Sequence, residues 1–188
     1  MSGSNYLNSQ LLIAMPSLAD PNFAQTVTLL CEHSERGALG IILNRPLNMN
    51  LGEVLDQLGL PGGEDPLREQ AVLRGGPVQT DRGFVLHPPG ERSWDSTLEV
   101  SASLHVTTSR DVLEAIATGA GPARAAMALG YAGWDAGQLE DELLQNAWLT
   151  VPFDDSIVFE VPVEQRWHAA ARLLGVDLTR ISHLAGRA

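Results

Sequence analysis

Cys31-Glu32-His33 places the chain's single thiol two residues from an imidazole. On a strand, alternating side chains set Cys31 and His33 on one face, about 7 Å apart, with Glu32 on the other. An imidazolium at that range lowers a thiol's pKa and yields the thiolate that serves as nucleophile or redox centre. The competing reading makes Cys31 a small buried apolar side chain at the end of a core strand. The same pair supplies two of the four ligands a zinc site needs. His87 and His105 complete the set only if folding brings them in, and HExxH and CxxC are both absent. No metal and no cofactor are therefore predicted.

Asn44-Arg45-Pro46 reads as a loop at a strand end, where binding residues concentrate. Arg45 there either clamps a carboxylate or phosphate in two-pronged fashion or is a plain surface arginine on a rigid turn. Gly75-Gly76-Pro77 either admits a ligand close to the backbone or is a tight turn. His87, ahead of Pro88-Pro89, is a cleft residue or the end of a strand. Asn44, Arg45, Gly75, Gly76 and His87 are thus the ligand-binding candidates, and Cys31 and His33 the redox or site-lining candidates. No catalytic residue is assigned, because GxSxG, GxxxxGK[ST] and GxGxxG are all missing. Trp134 reads as a core anchor. Glu140-Asp141-Glu142 reads as a solvated helix face and Asp154-Asp155 as a turn cap.

The elements that must position these residues follow from periodicity and punctuation. Strands are predicted over 10–14, 25–33 and 39–43. A short helix follows Asn50, with Glu53 completing a capping box and Leu51, Val54, Leu55 and Leu58 as its apolar face. Strands over 72–74 and 83–87 flank the Gly75-Gly76-Pro77 turn, and others lie at 98–100 and 104–107. Ser109 caps a helix bearing Val112, Leu113 and Ile116, which Gly119 ends. A buried strand is read over 124–131. Asp135 with Gln138 opens a helix whose Leu139, Leu143 and Ala147 face inward, and 148–151 with 157–160 form a closing strand pair. Pro162 opens a last helix with Trp167, Ala170, Ala171 and Leu174 on one stripe, stopped by Gly175. Residues 1–9 read as a mobile tail and 61–69 as a surface loop. The strand-helix order does not alternate regularly, so one α+β domain over 1–188 with a mixed sheet is expected rather than a doubly wound one.

Composition bounds the rest. At 44% hydrophobic and 19% charged residues the chain is globular in type. The lone cysteine suits a reducing, cytoplasmic setting, and the apolar run at 11–15 is too short for a signal peptide or membrane span. The formal charge is −11, carried against twelve scattered arginines and no lysine. Such a chain lacks the clustered cations with which proteins neutralise nucleic-acid phosphates, so direct nucleic-acid binding is not expected.

Six segments, in order and spanning nearly the whole chain, resemble the AlgH/YqgE family. They are LLIAMPSLADPNF (11–23), LLCEHSERGALGIILNRP (29–46), RGGPV (74–78), FVLH (84–87), LGYAGWDAGQLEDEL (129–143) and RWHAAARLLGVD (166–177). The resemblance implies a bifurcated β-sheet curled into a pseudo-barrel with helices packed around it. Members of that family often carry the label of transcriptional regulator, but no helix-turn-helix pattern accompanies it in this sequence. The strand adjacency that the resemblance implies would gather Arg45, Gly76 and His87 around one concavity floored by Cys31 or His33. The expected function is a non-enzymatic binding or regulatory protein acting through a small-molecule or protein partner. An enzyme or redox sensor built on Cys31 is the alternative.

Overall fold

A computed structural model describes residues 6–60, 63 and 65–185; the expectations for 1–5, 61, 62 and 64 lie outside that range. Three strands come first: β1 (Gln10–Ala14), β2 (Val27–Ser34) and β3 (Gly37–Ile42). β4 (Pro46–Asn50) leads into helix α1 (Leu51–Gln57). β5 (Ala71–Arg74), β6 (Val78–His87), β7 (Thr97–Ser101) and β8 (Leu104–Thr107) precede α2 (Arg110–Ala117). β9 (Ala126–Asp135), α3 (Gln138–Leu144) and β10 (Trp148–Pro152) follow. Helices α4 (Asp155–Phe159), α5 (Arg166–Arg172) and α6 (Leu178–Ala185) end the described chain.

The strands form one curled sheet in the order β10-β1-β2-β3-β9-β6-β8-β7, with β5 and β4 branching from it. β9 is the branch point. Its first half pairs in parallel with β5, Leu73 opposite Ala128, and its second half pairs antiparallel with β3, Gly40 opposite Ala132. β6 runs along its other edge. The chain can branch there because Gly75, Gly76 and Gly130 let two backbones touch. A Cβ on Gly76 would stand 2.0 Å from the Tyr131 carbonyl carbon, and Gly130 sits at φ +78°, which favours glycine.

The core divides by sheet face. Leu29, Cys31, Ile41, Leu86 and Val106 pack with Trp167, Ala170 and Leu178 from the C-terminal helices. α1 and α2 bury Leu55, Val112 and Ile116 against Val72, Val85 and Met127 on the branch formed by β5, β6 and β9. Leu12, Leu30, Trp134, Leu139 and Trp148 form a third cluster under α3.

Several expectations change. Residues 157–160 lie in a helical turn rather than a strand, started by Asp154, whose carboxylate accepts from the Ser156 N–H. β4 is a strand the pattern did not show, because it starts on proline and is half-exposed. Leu174 is 41% exposed, since α5 ends two residues before it. Ser109 holds the N-cap position of α2, but its hydroxyl donates to Asp111 rather than capping a backbone N–H. Gln138 does accept from the Asp135 N–H, yet α3 starts only at Gln138, after Gly137 in the left-handed region. Residues 6–9 are not a loose tail. Leu7 N–H donates to His33 Nδ1, His33 N–H to Asn8 Oδ1, and Ser9 N–H to the Leu30 carbonyl.

Candidate functional site

A largely apolar cleft of about 420 Å³ lies on the face of the β6–β9 branch that carries α1 and α2. Period-two alternation sends Asp81, Gly83 and Val85 of β6 into it, and Met127 and Leu129 of β9. α1 contributes Val54 and Leu58, and α2 contributes Leu113. The segment joining β8 to α2 closes one side with Thr108, Ser109 and Arg110. Gly83 keeps the floor low: a Cβ there would press on the end of the Met127 side chain at 3.0 Å and touch the end of Leu129 at 4.0 Å. Arg110 braces the rim, with Nη2 donating to the Leu58 carbonyl and Nε to Glu114. Asp111 fixes the joining segment by accepting from the backbone N–H of Asp95 and Val112 and from Ser109. Burial pushes its carboxyl up, but those hydrogen bonds prevail and hold it below the usual carboxylate range.

The residues singled out in sequence are dispersed over the molecule. Cys31 and His33 do not share a face. Cys31 is the extra residue of a β-bulge, since Leu30 stands opposite Gly40 and Glu32 opposite Leu39. The bulge shifts the alternation by one, so Cys31 and Glu32 both line a small cavity with Arg82, Phe84 and Thr97. His33 turns instead toward α3. Because the Leu7 N–H occupies Nδ1, the ring proton sits on Nε2 and donates to Glu140 at 2.6 Å. Both nitrogens are therefore committed. Burial, with Glu32 adding to it, pushes the Cys31 thiol up to about 12, opposite to activation.

Asn44 and Arg45 serve the neighbouring turn. Asn44 accepts from the Val27 N–H and donates to the Gln25 carbonyl, and the Arg45 guanidinium donates to the carbonyls of Pro21 and Ala24. Gly75 and Gly76 are buried in the backbone crossing, with no space for a ligand. His87 lies on β6 opposite His105, whereas Arg45 lies beyond β5, where its carbonyl accepts from Arg74. The steps β4–β5–β9–β6 put roughly 14 Å between them across the sheet alone. Arg45 and His87 thus do not share a concavity.

His87 is buried, yet its ring borders an open cavity. It lines a second cavity, of about 350 Å³, with Arg92 and Trp94. The Pro88 carbonyl can only accept, so Nδ1 carries the proton and Nε2 accepts from Thr107, which in turn is 2.8 Å from Thr97. This chain crosses β6, β8 and β7, and Thr107 also lines the 420 Å³ cleft. Burial chiefly lowers the His87 pKa; the Pro88 hydrogen bond opposes this and His105 adds to it. The acidic run on α3 is not a plain solvated face either. Glu142 accepts from both Trp134 and Trp148, and Glu140 from His33. Among the described residues, no three His, Cys, Asp or Glu side chains come together as a metal site.

A branched, curled, mostly antiparallel sheet with helices packed on its faces defines the class of protein. A family model described as AlgH-like matches residues 11–179, and the chain belongs to that family. It is 53% identical over 182 residues to a UPF0301 protein from Xanthomonas euvesicatoria pv. vesicatoria, covering 97% of this chain and 96% of the relative. A UPF0301 protein from Xanthomonas oryzae pv. oryzae matches at the same identity and coverage. The solution structure of the AlgH protein from Pseudomonas aeruginosa is 54% identical, with a TM-score of 0.78 over 97% of this chain and 96% of that one. A crystal structure of a Corynebacterium diphtheriae protein, DIP2367, shares the fold at 20% identity and a TM-score of 0.75, covering 95% of this chain and 92% of that one.

Proposed function

We propose that this protein is a non-enzymatic binding protein that holds a small molecule with an apolar body and a polar end in the cleft between α1, α2 and β6. The observation that carries this reading is the cleft itself. At about 420 Å³ it falls in the size range of small-molecule sites. Its floor of Met127, Leu129, Leu113 and Val85 is apolar and, through the methionine, adaptable. Asp81, Ser109 and Arg110 at its edge supply the few polar groups that orient a ligand. Any regulatory effect then runs through ligand occupancy or a protein partner. A cytoplasmic setting agrees with a single reduced cysteine, and no helix among the described residues is long and apolar enough to cross a membrane. The buried, proton-holding thiol of Cys31 gives the redox-sensor alternative no support.

A thermal-shift screen of small amphipathic compounds tests the reading. A ligand present at a hundred times its Kd stabilises the fold by about 2.7 kcal/mol. Gly83→Val fills the floor of the cleft where only the Met127 side chain need give way. Hits should lose their shift in this variant while its own melting temperature stays near that of the parent. Hits that bind the variant equally well would sink the assignment.

A further inference from the structure

We propose a second binding site, for a carboxylate or phosphate group, in the cavity of about 320 Å³ between α5, α4 and the 3-10 turn at Pro66–Glu69, with Arg166 as its anion receptor. Arg166 opens α5 and is only 7% exposed. Its guanidinium donates Nε–H to the Val161 carbonyl, Nη1 to Leu43 and Nη2 to Val158. Those three bonds use three of five N–H groups and leave one on each terminal nitrogen. All three acceptors are neutral carbonyls, and among the described residues no carboxylate lies within ion-pair distance of it. Buried charges are as a rule paired, because an uncompensated one is costly to desolvate. Glu164 offsets part of that cost from beyond ion-pair distance.

The cavity wall suits an incoming anion. Gln70 adds an amide, and Leu73, Ala126 and Val161 give an apolar lining for the body that bears the charged group. Arg124 stands on the same wall but is already held by Glu160 at 2.9 Å and by Asp155 at 3.6 Å. Glu160 also lines the cavity and, among the described residues that do, is the one group that repels an anion. The buried Arg166 is consequently the cation left for a ligand to neutralise, in a protein of net charge −11.

The test is a titration of the isotope-labelled full chain at constant ionic strength, with acetate, butyrate and inorganic phosphate as separate probes and chloride as reference. Saturable shifts of the Arg166 Nε–H and Gln70 amide signals are expected. The probe that saturates first shows whether the source is a carboxylate or a phosphate. Glu160→Gln removes the repelling charge and also releases Arg124, so binding should tighten about tenfold, and the Arg166 Nε–H must shift along the same isotherm, which a purely structural Arg166 would not do. Arg166→Lys keeps the charge but loses the fork, and should weaken binding by at least as much. If that variant fails to fold, the wild-type Arg166 signal and Glu160→Gln still decide. Shifts that stay linear for every probe, shifts that bypass Arg166, or an unchanged affinity in Glu160→Gln would each overturn the proposal. The Gly83→Val variant should bind these anions normally, so failure of one site is distinguishable from failure of the other.

Discussion

Cys31 shows how the same residue reads differently once its neighbours are fixed. The thiol lies at the bulge of β2, 4% exposed, with the Leu29 carbonyl 3.9 Å from its sulfur and no imidazole on its face. Desolvation holds the proton on sulfur, and the thiol is the unreactive form. We expect a thiol reagent to label Cys31 in the native protein orders of magnitude more slowly than in denaturant. Rapid native labelling at neutral pH would restore it as a redox candidate. His87 makes a complementary case. Its pKa is lowered on folding, so the unfolded chain binds a proton that the folded one does not. Stability should therefore be full above the unfolded value of about 6.5 and fall as the pH drops below it, levelling off once the folded pKa is passed. Denaturant melts of wild type and His87→Gln across that window measure it. The slope attributed to His87 should vanish in the variant, and a parallel pair of curves would show that another group titrates.

At the level of elements, the crossing of Gly75-Gly76 over Gly130 decides whether β9 can branch. Gly76→Ala would drive a methyl group into the Tyr131 backbone, which cannot move aside as a side-chain end can. We expect a loss of about 3 kcal/mol or more, read from denaturant melts, against a small effect for Gly83→Ala in the open cleft. A loss below about 1 kcal/mol at Gly76 would mean that the two backbones are not in contact. The contrast also marks what was legible beforehand. The capping box of Asn50 and Glu53, the strands over 10–14 and 104–107, and the glycine stop at Gly119 are local signals, and they match the structure. The α4 turn reads as strand in the sequence because Ile157-Val158-Phe159 is too short for periodicity to choose, and only the Asp154 cap marks it. The bulge at Cys31 has no sequence signature, and one extra residue there undid the predicted Cys31–His33 face. The cleft draws its walls from α1, α2, β6, β8 and β9, so no single segment could announce it.

Across the whole molecule, the arginines show where positive charge is spent. Arg45 ties down carbonyls of the 21–24 turn, Arg68 pairs with Asp56, Arg110 with Glu114, and Arg124 with Glu160, while Arg166 is enclosed among carbonyls. A duplex-binding surface needs several cations free to displace condensed counterions, and each phosphate contact adds to the salt dependence of binding. Against a net charge of −11, arginines engaged in this way and spaced singly along the chain do not offset long-range repulsion from a polyanion. We therefore expect the purified protein to show no sequence-specific duplex binding at sub-micromolar concentration and physiological salt. Lowering the salt should not rescue it, because weaker screening strengthens the repulsion as much as any local attraction. A gel shift that sharpens as salt is removed and tracks one sequence would reverse this conclusion.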